Sequence, residues 1–539
     1  MLPLIASEGT MRQQRDLRWR RCRLDQCAGL AVDDAGRRLF SAAQPIRQFH
    51  PRAGLVEQSS ADIWRATCAA VREALVASGA GTGAIAGIAF DATCSLVAVG
   101  AGGSPVEVVE DGAPSATSSW MDSPRRRRSG DDQRATHDPA LAYVGGEVSI
   151  EMEPPEVLWL RRRFPERYAA ATRFFDLADY LVWKCCGTDA ASVCTLTCKW
   201  NYLAHESRFP QAIPRGGSPG DLRVQAARAH ILPLVFTAAS RRPRRRRWVC
   251  PPWSWWATGI IDAHAGGLAL VGSSPHGSLA LIGGTSNCHL VVSPQPIMVP
   301  GVWGPAWAMP GSWLNEGGQS AAGALVDWTV RQSESWPLVE ETAAREGRNV
   351  YAVLNDWTAD LRRREPAPTR DRQRPLPDHH GKPLAARQCA GSRHGDGADA
   401  RKGPDALARL YLATIQALAY GTRHIVDSMN AAGHRIERIA MCGGGTRNPL
   451  LLQEHADVLG RDLHLVAEED AVTLGAALLA ATASGHFPDL PAAAAAMVRP
   501  GGKICARAGE RAFHDAKYRV FLQLYEDQQG YQASMASLH

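Results

Sequence analysis

Four short segments carry residue types suited to chemistry on a hydroxyl and a phosphate. Ile260-Ile261-Asp262 sets a carboxylate after an apolar pair and before the small-residue run Ala263-His264-Ala265-Gly266-Gly267. A carboxylate at a strand end, facing a cleft, is a general-base candidate able to take a proton from an alcohol. An aspartate that caps the following helix reads the same way. Gly283-Gly284-Thr285-Ser286 offers two hydroxyls, plus backbone N–H groups that phosphate oxygens can approach unhindered. An ordinary turn between the strands Leu279–Ile282 and His289–Val292 would look no different. Cys442-Gly443-Gly444-Gly445, ahead of Asn448 and a helix, permits close approach to a planar or anionic ligand, although glycine-rich strand-to-helix turns are common. Trp120-Met121-Asp122 and Lys199-Trp200-Asn201-Tyr202 join aromatic faces to charged hydrogen-bonding groups, which suits a polyhydroxylated ligand and equally suits half-buried packing. No G-x-x-x-x-G-K-[ST] sequence occurs, which argues against a P-loop. Taken together, the segments point to phosphoryl transfer onto a hydroxyl.

The elements that must position these groups follow an α/β pattern. Leu30 to Leu39 reads as a strand, a tight turn and a second strand. Ser59 to Ser78 reads as a helix, with Ser59 and Asp62 at capping-box spacing and Trp64, Cys68, Val71 and Leu75 on one face. Ile85 to Phe90 is an apolar strand that delivers Asp91-Ala92-Thr93-Cys94-Ser95 at its carboxyl end, where ligands of such sheets sit. The second half repeats the scheme. A helix is predicted over Pro404 to Asn430, strands over Ile436 to Met441 and Asp462 to Val466, and an alanine-rich helix over Thr473 to Ser484. Two α/β halves with a cleft between them are expected, joined near 255–275. The division is 1–260, 261–520 and a tail, 521–539. Segments 1–27, 123–138, 238–256 and 358–403 lack periodic apolar residues and are read as loops or disorder.

At 539 residues the chain exceeds the size at which single cores stop growing, in keeping with two large domains. The net charge of +6 comes from local arginine runs, such as Arg125 to Arg128 and Arg241 to Arg247. These have few interleaved aromatics and no helical period, so solvated segments fit them better than a nucleic-acid surface. Thirteen scattered cysteines form no C-x-x-C pair and suit reduced thiols in a cytoplasmic enzyme; a zinc site through Cys194 and Cys198 lacks a second ligand pair. No apolar stretch reaches membrane-spanning length, so neither nucleic acid nor membrane is an expected partner. The partners expected are a small-molecule sugar substrate and a second copy of the chain, as a homodimer.

In order and in sequence the segments resemble the FGGY family of carbohydrate kinases, most closely its D-ribulokinase branch. The likeness is carried by Glu57-Gln58-Ser59-Ser60, Phe90-Asp91-Ala92-Thr93-Cys94-Ser95, Trp120-Met121-Asp122, Glu151-Met152-Glu153, Phe175-Asp176-Leu177-Ala178-Asp179 and Cys198-Lys199-Trp200-Asn201-Tyr202. It continues through Asp262-Ala263-His264-Ala265-Gly266, Gly284-Thr285-Ser286-Asn287-Cys288-His289, Gly301-Val302-Trp303-Gly304-Pro305, Glu316-Gly317-Gly318-Gln319-Ser320, Gly421-Thr422-Arg423-His424 and the triple-glycine turn. The resemblance implies two actin-like ATPase domains with an RNase H-like core, ATP and Mg²⁺ in a cleft, and a ketopentose beneath. By it Asp262 is the base. Gly284, Thr285 and Ser286 hold the phosphates, while Gly323, Gly443, Gly444, Gly445 and Asn448 flank the adenosine. Asp91, Ala92, Thr93, Ser95, Trp120, Asp122, Lys199 and Glu316 line the sugar pocket. The implied reaction converts D-ribulose to D-ribulose 5-phosphate. L-ribulose or a pentitol as acceptor is the alternative within the class, and a kinase-like protein without turnover is the alternative outside it.

The chain departs from this pattern at sharp edges. Where the family opens with an Asp-x-Gly-Thr phosphate and metal motif, Arg18-Trp19-Arg20-Arg21-Cys22-Arg23-Leu24 stands, with Arg20 in register with the metal-associated aspartate. Ser123-Pro124 and four arginines replace the expected His-Arg after Asp122, and Arg244 to Trp248 replaces a hinge strand before Asp262. The pattern resumes abruptly after each. Such Arg/Pro-rich patches have the character of stretches translated out of frame from a GC-rich gene.

Overall fold

A computed structural model of the chain describes residues 2–6, 26–49, 55–79, 85–107, 119–121, 139–146, 148–149, 152–188, 190–210, 230–232, 238–239, 255–309, 311–365 and 403–536. The arginine-rich stretch around Arg20, Asp122 and the whole of 123–138 lie outside these residues.

The chain forms two compact units, each assembled from separate stretches. The first takes Met1–Ser278, Leu290–Glu316 and Val466–Pro500; the second takes Leu279–His289, Gly317–Leu465 and Gly501–His539. This differs from a single division at 260/261. The alanine-rich helix Ala471–Ala483 belongs to the first unit, because it packs against the helix Asp262–Val271. Their approach is so close that a Cβ on Gly475 would fall 1.7 Å from the Ala265 carbonyl oxygen.

In the first unit six strands lie in the order Ala238–Ala239, Trp255–Trp256, Ile85–Ile88, Leu2–Ala6, Gln26–Val32 and Arg38–Pro45. The helix Ser60–Ser78 begins as its sequence suggested, with Ser59 Oγ accepting from the Asp62 amide, and ends on Gly79 at φ 67°. Its Ile63, Val71 and Leu75 pack with Ile88, Phe90, Phe175 and Trp256 in one buried cluster. Full burial of each large side chain contributes about 1.5–3 kcal/mol, so this cluster is the main support of the sheet beneath the site.

In the second unit the strands Asn287–Ser293, Ser278–Gly283, Arg438–Cys442 and Leu463–Val466 are neighbours in that order, the last two parallel. The helix Pro404–Ala431 buries Leu407, Tyr411, Ile415 and Leu418 against Val326, Val330 and Leu354. These positions are the 3–4-spaced stripe expected of an amphipathic helix.

Four segment assignments need correction. The strand Gln26–Val32 starts inside 1–27, where Leu2–Ala6 is also a strand. Trp255–Trp256 is a strand inside 238–256, paired parallel with Gly87 and Ile88; Trp256 is buried and stacks on Phe90 at 5.9 Å. The helix Val350–Arg364 runs into 358–403, because Thr358 and Leu361 continue the buried face begun by Val353 and Leu354. Finally, 520/521 falls within one helix, Arg511–Ala536, whose Tyr518 and Phe521 pack with Ala419, Tyr420 and Val458. Among the described residues no helix is long and apolar enough to cross a membrane.

Candidate active site

Two short parallel strands organise the first unit's part of the site. Ile260–Ile261 pairs with Asp91–Ala92, Ile260 opposite Asp91 and Ile261 opposite Ala92. Both strands therefore release their next residues at the same edge, Asp262 from one and Thr93 from the other. Asp262 is the first residue of the helix Asp262–Val271, not its cap, since Ile261 occupies that position; its Oδ1 accepts from the Ala263 amide at 2.8 Å. The carboxylate is half-buried, whereas Asp91 and Ser95 are buried, and Thr93 Oγ1 lies 3.1 Å from Ser95 Oγ.

Cys94 sits where the charges converge. Burial holds its thiol well above the usual range; Lys199 opposes this, while Asp176, Asp262 and Glu316 reinforce it. The same residue thus senses three of the predicted site groups: Asp262, Lys199 and Glu316. Lys199 ends the helix Val193–Lys199, capped at its start by Ser192 Oγ. Asp176 caps the helix Leu177–Cys186 through Oδ1, and burial followed by the neighbouring Asp179 raises its pKa far above the carboxylate range.

Glu316 lies on the strand Ser312–Gln319, opposite Trp303 of the neighbouring strand Trp303–Met309. Its Oε2 lies 3.1 Å from His264 Nε2, and the other ring nitrogen, Nδ1, faces Cys194 Sγ at 3.2 Å and Cys198 Sγ at 3.7 Å. Burial opposes a charged His264, but Cys194 and Glu316 outweigh it and raise the pKa to about 10. Burial likewise opposes a thiolate at Cys194, yet the Cys198 thiol and the His264 cation bring it well below the thiol range. Cys198 is pushed up by burial and by Cys194, and stays a thiol. Sequence reasoning quoted His264 only as part of a motif and gave Cys194 and Cys198 no role. Their four-residue spacing, which puts both on one helix face, was the available signal.

The second unit gathers the glycine-rich turns. Gly284 N–H donates to the Ser286 carbonyl at 2.9 Å, and the Thr285 carbonyl accepts from the Ala322 amide at 2.7 Å. The Gly323 amide donates to the Gly284 carbonyl at 3.0 Å, which ties the turn to the start of the helix Gly323–Arg331. Gly443 (φ 95°) closes over this turn: a Cβ there would lie 2.3 Å from the Gly283 carbonyl oxygen. Gly444, by contrast, has open space on its Cβ side, and Gly284 has only the Ser286 carbonyl at 3.7 Å. Glycine backbone with open space on its Cβ side is a surface that an anionic phosphate chain can approach. Asn448 caps the helix Pro449–Leu459 through Oδ1, and its Nδ2 donates to the Tyr411 hydroxyl at 2.7 Å. Its side chain holds the turn in place.

The predicted residues therefore fall into two described groups: Asp91, Ala92, Thr93, Ser95, Lys199, Asp262 and Glu316 in the first unit, and Gly284, Thr285, Ser286, Gly323, Gly443, Gly444, Gly445 and Asn448 in the second. Trp120 is described only as part of the strand Ser119–Met121, with Val56 opposite it. Asp122 lies outside the described residues.

The C-terminal domain of the FGGY family of carbohydrate kinases matches residues 279–484. An FGGY carbohydrate kinase domain-containing protein of Homo sapiens is 37% identical, over 94% of this chain and 95% of its own. A D-ribulokinase of Saccharomyces cerevisiae is 31% identical, over 85% of this chain and 70% of its own. Among solved structures, ligand-bound xylulose kinase from Lactobacillus acidophilus superposes with a TM-score of 0.75 at 15% identity, covering 100% of both chains. The fold is accordingly α/β, with the two actin-like ATPase domains of the sugar kinases. With that identity running along nearly its whole length, this chain belongs to the FGGY family of carbohydrate kinases.

Proposed function

We propose that the chain is an ATP-dependent kinase that transfers the γ-phosphoryl group to the terminal hydroxyl of a ketopentose, with D-ribulose as the preferred acceptor. The observation that carries this reading is the parallel pairing of Asp91–Ala92 with Ile260–Ile261, which delivers Asp262 beside Thr93 and Ser95 at one sheet edge. A half-buried carboxylate next to hydroxyl-bearing residues is a base placed where a sugar hydroxyl can be held. The D-ribulokinase relative supports the acceptor.

Phosphoryl transfer asks little covalent chemistry of the protein; positioning and charge stabilisation supply most of the rate. Asp262 takes the hydroxyl proton as the oxygen attacks, worth typically ~10²–10⁴-fold. Lys199 and Glu316 hold the sugar's other oxygens as cation and acceptor. The amides of Thr285 and Ser286 and of Gly443 to Gly445 hold the phosphates of ATP, with Gly284 leaving the approach free of a side chain. Mg²⁺ takes oxygen ligands and retains several waters; bound with the phosphates of ATP it would supply charge neutralisation.

Arg20 favours a second reading, a family member that binds ligands without turnover. In sequence Arg20 stands where the family's pattern has a metal-associated aspartate, and a guanidinium in that role would repel Mg²⁺. Measuring ADP release by the purified protein with D-ribulose, L-ribulose, xylulose and pentitols separates the readings. We expect D-ribulose to be fastest. No release above the ATPase background with any of them, from folded protein, would favour the second reading.

A further inference from the structure

We infer that Cys194, Cys198 and His264 form a binding site for a thiophilic divalent cation of the Zn²⁺ class. All three side chains are buried, and their donor atoms lie within 4.8 Å of one another. Cys194 and Cys198 stand one turn apart on the helix Val193–Lys199. The sequence offers no second ligand pair near these cysteines, but His264, 66 residues beyond Cys198, supplies a third donor.

The spacing is that of a metal centre. Tetrahedral zinc with bonds of about 2.3 Å to sulfur and about 2.0–2.1 Å to nitrogen sets sulfur and nitrogen ligands about 3.5 Å apart. The Nδ1–Sγ separations of 3.2 and 3.7 Å bracket that value. The ring is also oriented as a ligand requires, with Nδ1 turned to both sulfurs and Nε2 to the Glu316 carboxylate at 3.1 Å. A carboxylate on the far nitrogen of a ligating imidazole fixes its tautomer and strengthens the metal bond.

On binding, Cys198 and His264 would each release a proton to solvent, and two thiolates with a neutral imidazole then cancel the charge of a divalent cation, which matters where an uncompensated charge would be costly to bury. Cys194 and His264 also border an apolar cavity walled by Leu268, Leu290 and Leu314, which leaves room for a fourth ligand such as water. The soft donor set excludes Mg²⁺, which needs oxygen ligands. The centre is therefore separate from the nucleotide's cation, and it does not depend on the kinase reading. Bound metal would lock the His264 ring, and through it the orientation of Glu316.

The test uses the full-length protein, freed of metal by a chelator and titrated with Co²⁺ alone, without sugar or nucleotide. We expect one Co²⁺ per chain, with thiolate-to-cobalt charge-transfer absorption that one equivalent of Zn²⁺ removes. Cys194→Ser and Cys198→Ser should each weaken or abolish the band. Cys505→Ser, which alters an exposed cysteine, should leave it intact. Glu316→Gln should keep the band while lowering Zn²⁺ affinity roughly 10–100-fold. If the cysteine variants do not fold, X-ray absorption on the zinc-loaded wild type decides, with two sulfur neighbours and one imidazole expected. A folded wild type without the thiolate band, a band that survives loss of both cysteines, or a shell of oxygen and nitrogen only would overturn the assignment.

Discussion

His264 Nε2 stands 3.1 Å from Glu316 Oε2, so one imidazole ties the helix that begins with Asp262 to the strand Ser312–Gln319. The base candidate and a sugar-binding candidate are thereby held to a single side chain, two residues beyond the base. A charge-assisted hydrogen bond of this kind contributes about 1.5–3 kcal/mol. It fixes the position of the Glu316 carboxylate.

Replacing His264 by Leu removes that bond and should weaken sugar binding more than it slows chemistry. Steady-state kinetics should show KM for D-ribulose raised about tenfold or more, with a smaller change in kcat. A fall in kcat at unchanged KM would assign His264 a different part.

Gly443 should tolerate no side chain. Its φ of 95° and the 2.3 Å approach of a Cβ to the Gly283 carbonyl oxygen combine backbone strain with a backbone clash that no rotamer relieves. Gly443→Ala should lower stability to urea by about 2 kcal/mol or more and raise the KM for ATP. Gly444→Ala, with open space at its Cβ, should be close to neutral in stability.

His455 should make the second unit sensitive to acid. It is buried, its Nδ1 bonds the Leu451 carbonyl at 2.8 Å, and burial lowers its pKa to about 4 from 6.5. The folded state then binds fewer protons than the unfolded one between those values. Its contribution is intact above pH 6.5 and is lost as pH falls toward 4. Unfolding at pH 5 should show a loss of about 2 kcal/mol relative to pH 7 from this group. His455→Gln should reduce that pH dependence; an unchanged slope would locate the acid lability elsewhere.

Much of this was legible in the sequence, and particular residues show why the rest was not. Ser59 and Asp62 announced a helix start because a capping box is a local signal, and the structure has that bond. Asp262 and the glycine turns stand out in the sequence because the chemistry they suggest is written in consecutive residues. Trp255–Trp256 was missed since two residues beside an arginine run carry no period. The end of the helix Val350–Arg364 falls inside the stretch that reads as a loop, because charged residues cover its exposed face while Leu361 holds the buried one. The cluster of Cys194, Cys198 and His264 depends on side chains 66 and 70 residues apart, which only tertiary packing brings together. The placement of Ala471–Ala483 with Asp262–Val271 is likewise a long-range result, set by glycine and alanine surfaces that allow close helix approach.

The segment around Arg20 makes its own prediction. Replacing Arg20 to Arg23 with Asp-x-Gly-Thr should raise kcat/KM and tighten Mg²⁺-ATP binding. Resequencing the gene beside that of a close relative should reveal compensating insertions and deletions that flank the arginine-rich patches. Unchanged rate and affinity in the restored protein would remove the argument that this segment impairs the site.

The most direct test of the central claim is transfer of labelled γ-phosphate from ATP to D-ribulose by the wild type and by Asp262→Asn, with sugar binding measured in parallel. The wild type should yield labelled ribulose phosphate. The variant should show at least a ~10²-fold lower rate, with sugar affinity retained. Equal rates from the two proteins would contradict Asp262 as the base.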